Sequence, residues 1–598
     1  MSDNEPAGDV QIANVEKETR PIAKMSARMR RILLAICAAL LIGLWAMQHT
    51  PYLNVADDSG RYMVLGESLA YTGDLRLINN IQRPLDTLYP PGFPTVIAFW
   101  IRVTGREPGD VVSLVKLTNL LLLLLTLPML LTLLERARIP PRLIPLLMLV
   151  YAGSPALASY ANEVMSEVLL LFLCLASIVL IDVPTDVKVD PKTGIDSIDS
   201  LETGPESVET ALSGKPNVER RIVGTRRVLA LACAAGAFLT RTSGLALLFA
   251  LTVWFWRRYG WRWGALAGAV MLLCVGGWLG RNRQIVKTHP TVRYANYLDQ
   301  FWLRDPSKLG AGRIQHNPLG IASRIKSGVP TYVGMIPRAV LHMMSPNSVW
   351  NALFYVVAVP LTLLILYGVV LGIRRGLSLW AGFATLFWFL AAMWPWQNAR
   401  FLVPLIPLMI VFLGLGMEQA GGWLSARIGG NRQHGVMGAA FLLLFVYYAR
   451  VHYRVIAQEA RPTVAGYALG RTPAEGGFYA ACEWLKKNAE PNVVVMGKPQ
   501  YLLHLYSGCP TTQIEPNDNP GNQERGYIAP LRVGYLVEDA WKFGFRTKKL
   551  LAPYLAMYSD RWELVWQDPN GSGVRIWKRR DAFLRRLTTP QPPPSLNQ

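Results

Sequence analysis

Cysteine and histidine are scarce, six and seven among 598 residues. No Cys/His grouping has the spacing of a zinc site. Cys37, Cys174, Cys233 and Cys274 fall in apolar runs and read as small packing residues. Cys482 and Cys509 fall in a polar C-terminal part, where they can pair if that part is outside the cell; spacing alone does not show it. Acidic side chains are also short, 40 against 61 Lys and Arg, for a net charge of +21. In a soluble chain that excess suggests nucleic acid. Here the arginines gather at the ends of apolar runs and in loops, where lipid phosphate is the simpler partner, and no nucleic-acid role is expected. No internal repeat is evident, which counts against a transporter built from paired repeats. No clear small-x-small cleavage site follows the first apolar run, so that run reads as an uncleaved anchor.

What the chain has in quantity is apolar sequence, 51% of its residues. It falls in runs of roughly 15 to 25 residues between short polar loops, the pattern of helices that satisfy their own backbone in lipid. Lys24, Arg28, Arg30 and Arg31 precede the run Ile32 to Met47 and predict a cytoplasmic N-terminus. Further spans are predicted near 110–134, 143–158, up to Ile181, 264–280, 350–373, 377–393, 401–418 and 436–449. The stretch from Val228 to Trp256 reads as one long span or as two turning at Thr240-Arg241-Thr242-Ser243-Gly244. Two spans keep Arg257, Arg258, Arg262, Arg374 and Arg375 cytoplasmic and spare a mid-membrane arginine, which costs about 2.5–3.5 kcal/mol on insertion scales. The expected fold is therefore mainly α, a polytopic helical membrane protein of about eleven spans, with Arg241 at the outer surface.

Residues 1–31 are expected to form a disordered cytoplasmic N-terminus, 32–450 the transmembrane domain, 451–585 a C-terminal extracytoplasmic α/β domain and 586–598 a tail. Two long outer segments are predicted, 51–109 and 281–345. The second carries ten Lys/Arg against Asp299 and Asp305, which suits an anionic lipid head group. Residues 183–225 are rich in Asp, Glu, Ser, Thr, Pro and Gly and read as a disordered cytoplasmic insertion. In the C-terminal part, Ala480–Leu485 reads as an amphipathic helix, Val493–Gly497 as a buried strand, and 561–577 as a hairpin around Asp568-Pro569-Asn570-Gly571.

Chemistry is most visible directly after the first run, in Asp57-Asp58-Ser59-Gly60-Arg61-Tyr62. Tyr62, Leu65, Leu69 and Ala70 recur at helical spacing, so a helix with one apolar face is expected there, able to lie along a membrane surface. An Asp before Ser-Gly is a natural helix cap. The pair can equally supply a general base, its pKa raised by partial burial and by the like charge beside it.

The run Asp58-Ser59-Gly60-Arg61-Tyr62, then Gly66-Glu67-Ser68-Leu69, then Tyr89-Pro90-Pro91-Gly92-Phe93-Pro94 resembles the first outer loop of the GT-C superfamily of membrane glycosyltransferases. The resemblance is nearest to dolichyl-phosphate-mannose protein mannosyltransferases and lipid A aminoarabinose transferases. It implies Asp58 as the catalytic aspartate, with Asp57 its neighbour and alternate, and Arg61 at the donor phosphate. Ser59 departs from the pattern, where many members have Glu. Met165-Ser166-Glu167 resembles the second acidic motif, and is also a plausible helix cap. Gly277-Trp278-Leu279-Gly280-Arg281-Asn282-Arg283 and Arg400-Phe401-Leu402-Val403-Pro404-Leu405-Ile406-Pro407 resemble the ends of two later spans. They bring Arg281, Arg283 and Arg400 to the outer face, where guanidinium groups either grip phosphate or snorkel.

The resemblance implies transfer of a monosaccharide, hexosyl or pentosyl, from a polyprenyl-phosphate donor to an extracytoplasmic lipid, glycan or protein acceptor, at the inner (plasma) membrane. No cofactor is required on this reading; a divalent metal, if used, would be held by Asp57, Asp58 and Glu167. The alternative is a transporter or flippase of lipid-linked sugars, which would share the spans and the basic loops.

Overall fold

The computed structural model describes residues 25–53, 57–181, 217–288, 301–302, 318–341, 350–428, five positions between 446 and 457, 463–513, 520–540 and 547–580. Residues 1–24 of the expected N-terminal segment, the insertion to residue 216, most of the span near 436–449 and the tail lie outside the described residues; residues 27–31 and 217–225, expected to be disordered, instead begin two of the helices.

Apolar runs become helices because no other open structure pairs every backbone group within itself. The first is α1 (Ala27–Gln48), started by Ser26, whose Oγ accepts the Met29 amide at 3.2 Å. A leucine-rich run forms α4 (Val112–Arg136), with Leu123, Leu130 and Leu134 buried and Leu117, Leu121 and Leu125 exposed. A helix apolar on all sides suits a lipid surround. Next comes a pair, α5 (Ile144–Ala152) and α6 (Pro155–Ala161), bent by 44° at Gly153-Ser154-Pro155. Proline at the first position of α6 accepts the bend, because its missing N–H falls where helices have no internal partner. Then follow α7 (Glu167–Leu180), α8 (Asn217–Thr240), α9 (Leu245–Tyr259), α10 (Trp261–Thr288), α11 (Pro318–Leu341), α12 (Trp350–Arg374), α13 (Ser378–Met393) and α14 (Ile406–Ile428).

Six described helices are long and apolar enough to cross a membrane, or seven if the bent pair is one span; three shorter apolar helices join them. This is the build of a multi-pass membrane protein. The ambiguous stretch 228–256 divides into two helices at Arg241, as the charge argument expects. Gly244 makes that turn possible: a Cβ there would meet the Ala237 carbonyl carbon and the Phe238 nitrogen at 2.5 Å.

Residues 463–580 hold a five-stranded sheet. Its strands are β1 (Val494–Met496), β2 (Thr511–Thr512), β3 (Val533–Glu538), β4 (Trp562–Gln567) and β5 (Arg575–Arg579), in the order β2-β1-β3-β5-β4. The first three pair in parallel; β5 pairs antiparallel with β3 and with β4, forming the expected hairpin. Two helices, α15 (Pro473–Asn488) and α16 (Gln500–Ser507), belong to this part. The thiols of Cys482 and Cys509 are both buried and free, so no disulfide joins them here.

This α/β part docks on the segment between α1 and α4. The Tyr479 hydroxyl donates to the Leu53 carbonyl at 2.7 Å, the Leu53 amide to the Tyr506 hydroxyl at 3.0 Å, and the Thr511 amide to the Asn79 carbonyl at 2.6 Å. Between them runs α2 (Asp57–Thr72), packed on one side by α3 (Gly92–Thr104) and on another by α16. Tyr62, Met63, Val64 and Leu65 are all buried. That corrects the expectation of a helix with one apolar face lying on a membrane surface: α2 is sandwiched. Gly60 allows the close approach, since a Cβ there would meet Leu502 Cδ1 at 2.6 Å.

Candidate active site

The first turn of α2 presents Asp58 toward the start of α14. Its Oδ2 accepts from Arg400 Nη2 at 2.5 Å, and its Oδ1 from the Tyr89 hydroxyl at 2.6 Å. Arg400 is delivered by the short 3₁₀ turn Ala399–Leu405, where Asn398 Oδ1 accepts the Arg400 amide at 3.0 Å. Tyr89 is delivered by the Pro90-Pro91-Gly92 turn that opens α3. Gly92 is needed for close approach rather than for its torsion: a Cβ would meet the Leu239 carbonyl oxygen and Thr240 Oγ1 at 2.8 Å. The glycine thus seats α3 against the end of α8, next to Arg241.

Arg241 completes the group. Its Nη1 reaches Glu167 Oε1 at 2.5 Å, while Arg400 Nε lies 4.0 Å from the same oxygen. Two carboxylates, Asp58 and Glu167, therefore alternate with two guanidinium groups, Arg400 and Arg241. Both arginines also lie near the face of Phe401, at 5.2 and 4.9 Å. The Tyr62 hydroxyl meets Ser166 Oγ at 2.9 Å, fastening α2 to the N-terminal end of α7.

These charges set the protonation of Asp58. Burial pushes its carboxyl up, but the Arg400 guanidinium, the Tyr89 hydroxyl and the more distant Arg241 together outweigh burial and hold it below its ordinary value. The raised pKa expected from an Asp-Asp pair is thus corrected in direction. Arg400, 342 residues further along the chain, supplies what the local sequence does not show.

A second group sits beside the first. Arg61 Nη2 donates to Asp86 Oδ1. Asp86 Oδ2 accepts the Tyr89 amide at 2.8 Å and the Leu88 amide at 3.2 Å, and its carbonyl accepts Arg281 Nη1 at 2.8 Å. Burial works to lower the Arg61 pKa, but Asp86 more than compensates and keeps it fully charged. Arg61 and Arg281 are thus committed to the turn that holds Tyr89. Arg283 is exposed. The side chain of Asp57 lies outside the described residues.

Arg241, Arg400 and Glu167 open on a cavity of about 280 Å³, walled otherwise by Thr242, Ser243 and mainly apolar side chains such as Leu170, Leu245, Phe387 and Trp394. Among the described residues no three of His, Cys, Asp and Glu converge as metal ligands. Between Asp58 and Glu167 stands the Arg400 guanidinium, so a cation there would face a positive charge; the arrangement does not fit a metal held by those two residues. Arg241 and Tyr89 were not among the residues singled out for chemistry. Arg241 carried the topological signal of a charge between two apolar runs, and Tyr89 stood in the quoted Tyr-Pro-Pro-Gly motif.

No protein-family model matches the sequence, and no curated protein matches it. Solved structures do match in fold. ArnT from Cupriavidus metallidurans in the apo state superposes with a TM-score of 0.51 at 14% identity, over 93% of this chain and 99% of that one. The same protein bound to undecaprenyl phosphate gives 0.50 at 14%, over 94% and 99%. The archaeal oligosaccharyltransferase AglB from Archaeoglobus fulgidus, in complex with an inhibitory peptide and a dolichol-phosphate, gives 0.52 at 10%, over 92% of this chain and 74% of that one. At these identities the likeness shows that this chain shares their fold.

Proposed function

We propose that this chain is a membrane glycosyltransferase that moves a monosaccharide from a polyprenyl-phosphate donor to an acceptor outside the cytoplasm. The observation that carries this reading is the Asp58 carboxylate, held ionised by Arg400 and Tyr89, with Arg400 and Arg241 facing an apolar cavity. The cavity suits a lipid chain, and paired guanidinium groups suit its phosphate. ArnT bound to undecaprenyl phosphate and AglB with a dolichol-phosphate share the fold, and their ligands are of that class.

The acceptor oxygen or nitrogen attacks the anomeric carbon from the face opposite the phosphate. The new bond to that carbon forms as the carbon–oxygen bond to phosphate breaks. The electron pair leaves with the phosphate, the acceptor proton goes to Asp58, and configuration inverts. Polyprenyl phosphate is released. Arg400 and Arg241 stabilise the charge that develops on the leaving oxygen. A phosphate that draws Arg400 toward itself also weakens its hold on Asp58, which makes the carboxylate a stronger base when the donor is bound. The site and the α/β part lie on the outer face of the inner membrane on this reading, with the N-terminus in the cytoplasm and the acceptor a lipid, a glycan or a protein.

The test is donor turnover. Purified protein in lipid is offered a panel of polyprenyl-phosphate sugars with an envelope extract. The expected result is consumption of one donor with release of polyprenyl phosphate and sugar on an acceptor. A donor that crosses the bilayer intact and is never consumed would instead make the protein a flippase.

A further inference from the structure

The cavity has polar atoms that its arginines do not use. Glu167 is 1% exposed, and its Oε1 takes Arg241, but its Oε2 has no hydrogen-bond partner. Ser243, two residues after Arg241, lines the same cavity, and its Oγ is buried without a partner. Both oxygens are buried.

A carboxylate oxygen only accepts hydrogen bonds, and a buried acceptor left without one is costly, more so when charged. Buried polar atoms in native structures are nearly always satisfied, so orphans on a cavity wall point to what fills the cavity. A phosphate oxygen cannot satisfy Oε2, because both are anionic acceptors. The group that meets it has to be a donor, and a neutral hydroxyl suffices because Arg241 already balances the Glu167 charge. Ser243 Oγ can donate to or accept from a second hydroxyl on the same ligand.

We propose that Glu167 Oε2 and Ser243 Oγ form a sugar-recognition subsite, holding hydroxyls of the transferred monosaccharide while Arg400 and Arg241 hold its phosphate. This rests on the donor reading above. Glu167 is then a specificity-determining residue rather than a metal ligand, and it sorts donors by the placement of their hydroxyls.

The experiment measures binding to full-length protein in nanodiscs for undecaprenyl phosphate and for undecaprenyl-phosphate mannose, glucose, galactose and arabinose. Wild type should bind one sugar-bearing lipid more tightly than the bare phosphate. Glu167→Gln should weaken that sugar-bearing lipid about ten- to hundred-fold, the worth of a hydrogen bond to a charged group, without weakening undecaprenyl phosphate. Ser243→Ala, which leaves the ion pairs intact, should weaken the sugar-bearing lipid a few-fold and the bare phosphate not at all; it carries the test alone if Glu167→Gln does not fold. Equal loss for both lipids, no loss for either, or a wild type that never prefers a sugar-bearing lipid would overturn the subsite. A wild type that binds none of the five would overturn the donor reading itself.

Discussion

Arginine stands at both ends of the helix bundle and does different work at each. At one end Arg136 Nη1 donates to the Val179 and Ile181 carbonyls, at 2.9 and 3.2 Å, closing the C-terminal end of α7. Arg375 there pairs with a part-exposed Glu418 at 2.9 Å and reaches the Ala137 carbonyl at 3.3 Å. These are helix-end contacts, favoured by the negative pole of the helix and worth little beyond stability. About 20 Å away, at the N-terminal end of α7, Arg241 meets Glu167, and Arg400 meets Asp58. Glu167 and both of these arginines line a cavity. The difference teaches that an arginine at a span end is not informative by itself; whether it meets a carbonyl or a buried carboxylate decides its role.

The largest effect that separates the two ends is expected from Arg400→Ala. Transfer should fall about 10²–10³-fold, as for loss of a donor that stabilises developing charge. The same variant should move the acid limb of activity to higher pH. Asp58 is held below its ordinary value chiefly against burial by Arg400, so without that charge it takes up a proton at a higher pH and the base is lost sooner. A pH–rate profile that does not move would break the contrast between the ends.

A smaller loss is expected from Asp86→Asn, which weakens the pairing with Arg61 and loosens the turn that aims Tyr89 at Asp58. Turnover should drop about ten-fold, the range of a positioning error. Donor KM should stay within about two-fold, because Asp86 does not line the cavity; a rise in KM alone would place this group at the donor instead. At the opposite end, Arg375→Ala should leave transfer unchanged and lower stability by about 0.5–1 kcal/mol, read by thermal unfolding in lipid. Loss of transfer there would erase the distinction.

The smallest expected effect concerns Glu67, on α2 within the quoted motif. Burial, then Glu107, pushes its carboxyl up to about 7. In the folded protein it keeps its proton where the unfolded chain has lost it, so stability falls as pH rises from the usual glutamate range to about 7 and is level above that. Glu67→Gln should therefore raise the unfolding midpoint at pH 8 by about 1–2 °C and change little at pH 4.5. Equal effects at both pH values would mean the side chain acts through packing alone.

The helices were legible because apolar runs have one backbone solution in lipid. The break at Arg241 was legible from charge alone, and the motif that follows the first run made Asp58 a candidate. What escaped the sequence depends on pairing across the chain. Glu167 and Arg241 are 74 residues apart, and Asp58 and Arg400 are 342 apart. No local rule joins them, and the direction of the Asp58 pKa followed from the missing partner. Arg281 and Arg283 look equivalent in sequence, yet two residues on a helix point about 200° apart, so only one can face inward; Arg281 does. The one-faced α2 was misread because its cover, α16, comes some 430 residues later and contributes only a short apolar helix.

The most direct measurement compares Asp58→Asn with wild type, recording sugar transfer and donor binding in the same lipid preparation. Asparagine keeps the shape, its Oδ1 can still accept from Arg400 while its Nδ2 donates to the Tyr89 hydroxyl oxygen, and it cannot take a proton. Transfer should fall about 10²–10⁴-fold while donor binding persists, as expected for removal of a general base. Transfer equal to wild type would contradict the assignment and leave Asp58 as a structural partner of Arg400 and Tyr89.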